Sequence, residues 1–305
     1  MQERRYLLNI EQLLEGGGGE ALFRDAFDRI DRTRRQKVSR LGNARARAAG
    51  TGAGLLIQKA LADHMTECRT APGTGLQTGD QEEPRTAVRT GDPEELGTEQ
   101  RSGDSGAEED PILECFSVEE LLSVLDRRVT EPCYRYGKNG KPYLTDHPFQ
   151  FNLSHSGDYV FCGVSEQEIG VDIQKIQGDN MLRLAKRFFS GPEYQALEAC
   201  GDADLCRRMF FRMWTRKEAY GKLTGEGIPG TVGKCLWWDA PVGKQSSVCS
   251  PGEGLWRENE LFWEEYDVPH GYRMAVCRFC QKKVPEQLLT DRAETVYCFS
   301  TGHFS

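Results

Sequence analysis

The sequence predicts a fold that mixes helices and strands, α/β or α+β, and three observations carry that reading. Short apolar stretches at 159–164, 169–173, 261–266 and 272–278 read as strands. Stretches with helical spacing at 116–128, 181–189, 193–199 and 205–223 lie among them. Turn chemistry separates the two kinds, and the elements are interleaved rather than segregated.

Taken in order, residues 52–61 read as a helix start running into an apolar face of Leu55, Leu56, Ala60 and Leu61. The stretch 116–128 opens on Ser117 with Glu120 three residues on, a capping box. Gly137 to Pro142 is turn-rich. The strands at 159–164 and 169–173 are joined by the polar turn Ser165 to Glu168. The last two strands form a closing hairpin around Pro269-His270-Gly271. The chain contains no internal repeat.

The 305 residues allow one large domain or two smaller ones, and 38% hydrophobic residues suffice for a core. No stretch approaches the roughly 20 apolar residues of a membrane-spanning helix, which excludes an integral helical membrane protein. The start, Met-Gln-Glu-Arg-Arg, lacks the apolar centre of a signal peptide. Eleven cysteines at irregular spacing include one CxxC, Cys277 and Cys280, with no second pair to complete a zinc site. Reduced thiols in a cytoplasmic protein are the expectation.

The formal charge of −8 is local. Asp80 to Asp110 holds eleven acids and three bases, and the remainder is neutral. Between Thr70 and Asp110 the large aliphatics are Leu76, Val88 and Leu96, with no aromatic, so a solvated, disordered insertion is expected. Gly16 to Gly19 reads as a smaller flexible run. Upstream, Arg29, Arg32, Arg34, Arg35, Lys37, Arg40, Arg45 and Arg47 face only Asp31 among acids. Such a strip is a solvated face, a nucleic-acid strip or a phosphate-binding edge. No aromatics interleave and no nucleic-acid motif accompanies it, so nucleic acid is not the expected partner.

Three segments contain residues suited to chemistry. In the strand 169–173, Ile169, Val171 and Ile173 share one face, while Asp172 and Gln174 share the other. Taken alone, that second face reads as open to water, with Asp172 merely solvated. In the helix around 208–222, Met209, Met213 and Tyr220, extended by Phe210 and Trp214, form a packing stripe. Glu218 lies at its edge and Lys222 one turn further on the same side, while Lys217 falls inside the apolar arc. A Glu/Lys pair of this spacing is usually a surface bridge of about 0.3–0.5 kcal/mol; its place at the apolar margin points to a cleft. The third segment is Phe-Asn-Leu-Ser-His-Ser at 151–156. His155 there is polar enough to touch a phosphate or ribose, although a structural hydrogen-bonding role is commoner. No nucleophile triad is readable.

Gly140-Lys141-Pro142, Phe-Asn-Leu-Ser-His-Ser (151–156), Ile-Gly-Val-Asp-Ile (169–173) and Trp-Thr-Arg-Lys-Glu-Ala-Tyr-Gly-Lys (214–222) occur in that order. Their order and spacing resemble the 4'-phosphopantetheinyl transferases of the long, single-chain Sfp type. Arg-Phe-Phe-Ser (187–190) before Glu193-Tyr194 and the closing Gly-Tyr-Arg-Met-Ala-Val-Cys (271–277) fit as well. The likeness runs from about Arg29 to Cys277, interrupted by the acidic insertion.

The resemblance implies an α+β fold of two pseudo-symmetric α/β halves with the active site between them. The halves would be 1–168, with the disordered insertion 70–110, and 169–285, followed by a tail, 286–305. It implies an enzyme, a holo-[acyl-carrier-protein] synthase, moving phosphopantetheine from coenzyme A to a serine of an apo carrier protein and releasing 3',5'-ADP. Mg²⁺, with Mn²⁺ as substitute, would be held by Asp172, Gln174 and Glu218. Glu218 would help take the serine proton, Lys222 would stabilise the departing phosphate, and Lys217 would hold pyrophosphate oxygens. Ser154 and His155 would meet the 3'-phosphate, Lys141 and Pro142 would line the nucleotide site, and Arg34 and Lys37 match positions that reach coenzyme A phosphates. A working monomer without nucleic acid or membrane is expected. One departure stands out: many members have Glu where this chain has Gln174, which predicts weaker or more easily exchanged metal. The main alternative is a non-catalytic module that binds coenzyme A or a carrier. A metal-dependent phosphohydrolase is disfavoured, because such enzymes bring more acids or histidines to their metals.

Overall fold

The first strand sets the layering. In Arg-Arg-Tyr-Leu-Leu-Asn, β1 (Arg4–Asn9), Tyr6 and Leu8 enter one core while Leu7 enters another. Alternation lets a single strand serve two layers. The computed structural model describes residues 3–14, 18–70, 112–178, 180–236, 256–258, 261–266 and 269–279. After β1 come α1 (Gly18–Asp28), α2 (Arg32–Ser39), α3 (Ala44–Thr70), β2 (Ile112–Phe116) and α4 (Val118–Val124). A small hairpin follows, β3 (Tyr134–Tyr136) and β4 (Pro142–Leu144), then β5 (Gln150–Ser156), β6 (Tyr159–Ser165) and β7 (Ile169–Lys175). The chain continues through α5 (Met181–Phe188), α6 (Gly191–Glu198), α7 (Ala203–Thr224), β8 (Trp256–Glu258), β9 (Leu261–Tyr266) and β10 (Tyr272–Phe279).

The strands form two four-stranded sheets besides the β3–β4 hairpin, ordered β2-β1-β6-β5 and β7-β10-β9-β8. The pairing of β1 with β2 is parallel, and the remaining pairs are antiparallel. On the outer face of the first sheet, Leu55, Leu56 and Leu61 of α3 pack with Tyr6, Leu8, Val160 and Cys162. The inner faces of both sheets share a core of Leu7, Phe161, Val171, Ile173, Met274 and Val276. On the far face of the second sheet, Ala219 and Leu223 of α7 pack with Trp263, Ala275 and Cys277. The result is a mixed α/β architecture of four layers, helix–sheet–sheet–helix. Each fully buried Leu, Val or Ile contributes about 1.5–3 kcal/mol.

The edges of the two sheets meet through side chains. Asn152 Oδ1 accepts from Val171 N at 3.0 Å, Ser154 Oγ donates to Asp172 Oδ1 at 2.7 Å, and Ser156 Oγ accepts from Lys175 N at 2.9 Å. These residues alternate along β5, so one face of that strand satisfies its neighbour β7 across the seam. The turn after β6 therefore carries the chain from one sheet to the other.

Some expectations shift. The helix expected to begin at Gly52 begins at Ala44. Its glycines are close-approach points rather than breakers: a Cβ on Gly54 would lie 2.6 Å from Ile30 Cγ2, and one on Gly52 2.8 Å from Ile10 Cγ2. The helix expected over 116–128 is the seven-residue α4, capped by Ser117 and Glu120 and preceded by β2. Gly18 and Gly19 of the glycine run open α1, and residues 16–17 lie outside the described residues. The acidic insertion beyond Thr70, the tail 286–305 and Cys280 also lie outside them. Within them, no helix is long and apolar enough to cross a membrane.

Candidate active site

The site begins at Gly170. A Cβ there would fall 2.0 Å from the Ala219 carbonyl oxygen and 2.4 Å from Leu223 N, so only glycine lets α7 lie this close to β7. That approach lays the Glu218–Lys222 turn over Asp172. Lys222 Nζ donates to Asp172 Oδ1 at 2.7 Å, Ser154 Oγ at 2.8 Å and the Val171 carbonyl at 3.1 Å. Gln174 Nε2 donates to Asp172 Oδ2 at 3.0 Å. Asp172 is 1% exposed, so the reading of a solvated aspartate is overturned: α7 covers this face of the sheet. The buried carboxylate is instead compensated by Lys222 and by two hydrogen-bond donors, Ser154 and Gln174.

Glu218 stands beside this cluster, half-buried, without a hydrogen bond or ion pair among the described residues. Burial first, then the nearby Asp172, push its carboxyl up to about 7, against the pull of Lys222. Two carboxylates sharing a half-closed cleft are a strained arrangement for anions and a suitable one for a hard divalent cation. Such an ion takes oxygen from one or two carboxylates and completes its shell with phosphate and water. A half-turn of the Gln174 amide would add a carbonyl oxygen. The donor set therefore fits Mg²⁺. Among the described residues no group of three His, Cys, Asp or Glu side chains is placed for a metal, consistent with only two carboxylates here.

A cavity of about 310 Å³ opens on the β5 side of the cluster, lined by Arg34, Lys37, Pro142, Asn152 and His155 and walled by Val38, Leu41, Ala49 and Ala53. Its cations are set by α2. Asp31 caps that helix by accepting from Arg34 N at 2.9 Å and also accepts from Tyr134 Oη at 3.0 Å, tying α2 to β3. Arg34 and Lys37, three residues apart, then share a face. Burial and Arg34 lower the Lys37 pKa. His155 is lowered by burial and by Lys222 and Lys37, while Asp172 opposes them, so the imidazole feels both cavity and cluster. An apolar slot with cations at its rim suits a ligand that joins a flat ring to phosphate.

The structure thus brings together Asp172, Gln174, Glu218, Lys222 and Ser154, with Arg34, Lys37, Pro142 and His155 around the adjoining cavity. Lys217 and Lys141 are not brought there. Lys217 Nζ is buried, pairs with Glu193 at 2.9 Å and donates to the Lys234 and Thr231 carbonyls, so its three donors are used within the protein. Lys141 Nζ reaches Glu168 at 2.8 Å and the carbonyls of Leu223 and Ile169, fastening the β3–β4 hairpin to the end of α7. Other members of the basic strip are also engaged: Arg29 is buried against Leu122 and Leu125 carbonyls, and Arg45 pairs with Asp158. Asn152 alternates with Ser154 and Ser156 along β5, the one signal in the sequence for its place in the seam.

Comparison with known proteins agrees with this geometry. The model of the 4'-phosphopantetheinyl transferase superfamily matches residues 168–277. The chain is 47% identical over 140 residues to the 4'-phosphopantetheinyl transferase psf-1 of Bacillus pumilus, covering 46% of this chain and 57% of the relative. It is 37% identical over 142 residues to the 4'-phosphopantetheinyl transferase Sfp of Bacillus subtilis, covering 45% and 59%. To another 4'-phosphopantetheinyl transferase of Bacillus subtilis it is 33% identical over 158 residues, covering 49% and 67%. The match spans less than two thirds of the length of the first two relatives.

Proposed function

This chain belongs to the 4'-phosphopantetheinyl transferase superfamily, and from that premise we propose that it transfers phosphopantetheine from coenzyme A to a serine of an apo carrier protein. The observation that carries this reading is the continuity of the Asp172–Ser154–Lys222 cluster, with Glu218 beside it, and the cationic cavity of Arg34, Lys37 and His155. One part is built to hold a phosphorylated nucleotide and the other to move a proton and stabilise a leaving phosphate.

In this reading Arg34, Lys37 and His155 bind the nucleotide phosphates, with Pro142 against the ring. Asp172 and Glu218, with the Gln174 carbonyl, would hold a divalent cation, Mg²⁺ or Mn²⁺, which when bound neutralises pyrophosphate charge. Glu218, with a carboxyl near neutrality, accepts the proton of the carrier serine. Lys222 turns from Asp172 toward the phosphate that departs as 3',5'-ADP and donates to it. Ser154 holds the Asp172 carboxylate in place. Asp172, Glu218 and Lys222 are the catalytic set. Lys217 and Lys141 support the site from outside it.

The helix–sheet–sheet–helix order supports two pseudo-symmetric halves, 1–168 and 169–285, each a sheet with its own covering helix. The carrier belongs to fatty-acid, polyketide or peptide assembly, and the enzyme works as a cytoplasmic monomer. The test is mass analysis of apo carrier proteins incubated with the chain, coenzyme A and Mg²⁺. A gain of one phosphopantetheine on the serine is expected. Binding without gain across a carrier panel would replace the enzyme by a binding module.

A further inference from the structure

Strand register places a second cationic group beside the cluster. In the β7–β10 pair Ala275 stands opposite Asp172 and Arg273 opposite Gln174. Opposed residues share a face. Arg273 therefore lies on the α7 side of the sheet, next to Gln174. The early turns of α7 meet it there. Arg212 and Arg208 lie near enough to Arg273 that both lower its pKa, after burial, while Glu265 raises it. Glu265 already accepts from Arg212 Nε at 2.8 Å and from Arg216 Nε at 2.6 Å. Arg212 and Arg216 are thus paired with Glu265, Arg273 stands beside them, and Arg208 lies near Arg273. Arg208 is exposed, and the Arg212 side chain is 44% exposed.

This patch and the cavity flank the cluster from opposite sides. The cavity is reached through β5, on one side of β7, whereas Arg273 sits on β10, on the other. The cavity is lined by residues of α2, α3, β4 and β5, whereas the patch presents the exposed Arg208 and the part-exposed Arg212 and Arg273. Arg212 and Arg208 precede Glu218 by six and ten residues, about 9 and 15 Å along a helix. An anionic ligand at the patch would lie one side-chain length or two from the proton-accepting carboxylate, without competing for the cavity.

We infer that Arg208, Arg212 and Arg273 form the carrier-side docking patch, receiving acidic side chains that flank the acceptor serine. This rests on the transferase reading. Charge complementarity selects the occupant: an open guanidinium cluster beside the reacting group fits an acidic protein face, which it orients and steers. The neutral Gln174 belongs to the same design, because a carboxylate there would face Arg273 and draw it away from the partner.

The test is steady-state transfer to one acidic apo carrier by Arg208→Glu, Arg273→Gln and Arg273→Lys proteins, with KM measured separately for carrier and coenzyme A. The Arg208 reversal is expected to raise the carrier KM at least about tenfold. Arg273→Gln should raise it less, and Arg273→Lys should recover most of the loss. The coenzyme A KM and kcat should stay within about twofold, and the salt dependence of the carrier KM should flatten in the reversal. A rise in the coenzyme A KM alone, or an unchanged carrier KM, overturns the assignment. Should the parent protein fail to modify any carrier, the transferase reading has failed. Titration of labelled apo carrier without coenzyme A then decides: weaker binding by Arg208→Glu supports the patch, and equal binding refutes it.

Discussion

Glu218 concentrates the chemistry in one titration. Its carboxyl sits at about 7 because burial and Asp172 disfavour the anion more than Lys222 favours it. Between the ordinary glutamate range and that value, the folded chain holds a proton that the unfolded chain has lost. Stability therefore falls as pH rises through this window. Glu218→Gln removes that decline. At pH 8 the variant is expected to be more stable than the parent by about 1 kcal/mol, after discounting about 1.36 kcal/mol per pH unit for partial exposure. At pH 4 the two should melt together. Transfer by the variant should fall at least about 100-fold. Melting curves at the two pH values and a carrier mass assay check both halves, and a parent that melts higher at pH 8 contradicts the account. Gln174 offers a second test. Gln174→Glu supplies the missing carboxylate beside Asp172, so its Mg²⁺ activation constant should fall below that of the parent. Equal constants would remove Gln174 from the proposed metal site.

Helix α7 shows what one element must satisfy at once. It holds Glu218 and Lys222 over β7, and it is fixed from behind by Lys217. Glu193 accepts from Ser190 N, Ser190 Oγ, Lys217 and Leu236 N, so a helix cap and a buried ion pair are the same carboxylate. Removing one partner strands the other charge: Lys217→Met should cost about 3–5 kcal/mol in urea unfolding. Gly170→Ala forces α7 off the strand and should cost about 1–3 kcal/mol, with a loss of transfer greater than the stability loss explains. A variant as stable and active as the parent would show that the close approach is unimportant. The elements around these positions were readable in the sequence: α7 and β7 fall within two residues of their expected bounds, because periodicity and caps are local signals. Lys217 stood out as a cation in an apolar arc, but Glu193, its partner 24 residues upstream, marks a contact that spacing does not encode. Likewise the start of α3 is hidden in the sequence, since glycine signals a break, whereas here Ile30 and Ile10 need the room that Gly54 and Gly52 leave. Asp172 looked solvated because the helix that buries it lies elsewhere in the chain.

At the scale of the molecule, the cleft exists only while the two sheets keep their relation, and one buried pair spans them. Arg5 of β1 donates through Nε to Glu264 Oε2 of β9 at 2.8 Å and through Nη1 to the Val164 carbonyl at 3.0 Å, and Tyr266 Oη donates to Glu264 at 2.8 Å. The two side chains are 0% and 3% exposed and 259 residues apart. A buried pair so completely hydrogen-bonded contributes little net stability against an apolar substitute, yet losing one member is costly. Arg5→Met should therefore lose about 3–5 kcal/mol, and Arg5→Met with Glu264→Leu should recover most of it. The tryptophans allow a sharper measurement. All five lie at or beyond Trp214 in the sequence, with Trp214 in α7 and Trp263 in β9, so fluorescence follows the chain from α7 onward, whereas α3 contributes strongly to far-ultraviolet circular dichroism. In the parent, both probes should follow one urea transition. In Arg5→Met the sheets keep the seam of Asn152, Ser154 and Ser156, the Lys175–Asp158 and Arg278–Glu3 pairs and the shared core but lose their most buried pair, and the two transitions should separate, fluorescence and dichroism moving at different midpoints. The double variant, with an apolar contact in place of the pair, should bring them back together. Coincident transitions at the parental midpoint in Arg5→Met would mean that the shared core between the sheets holds the cleft without this pair.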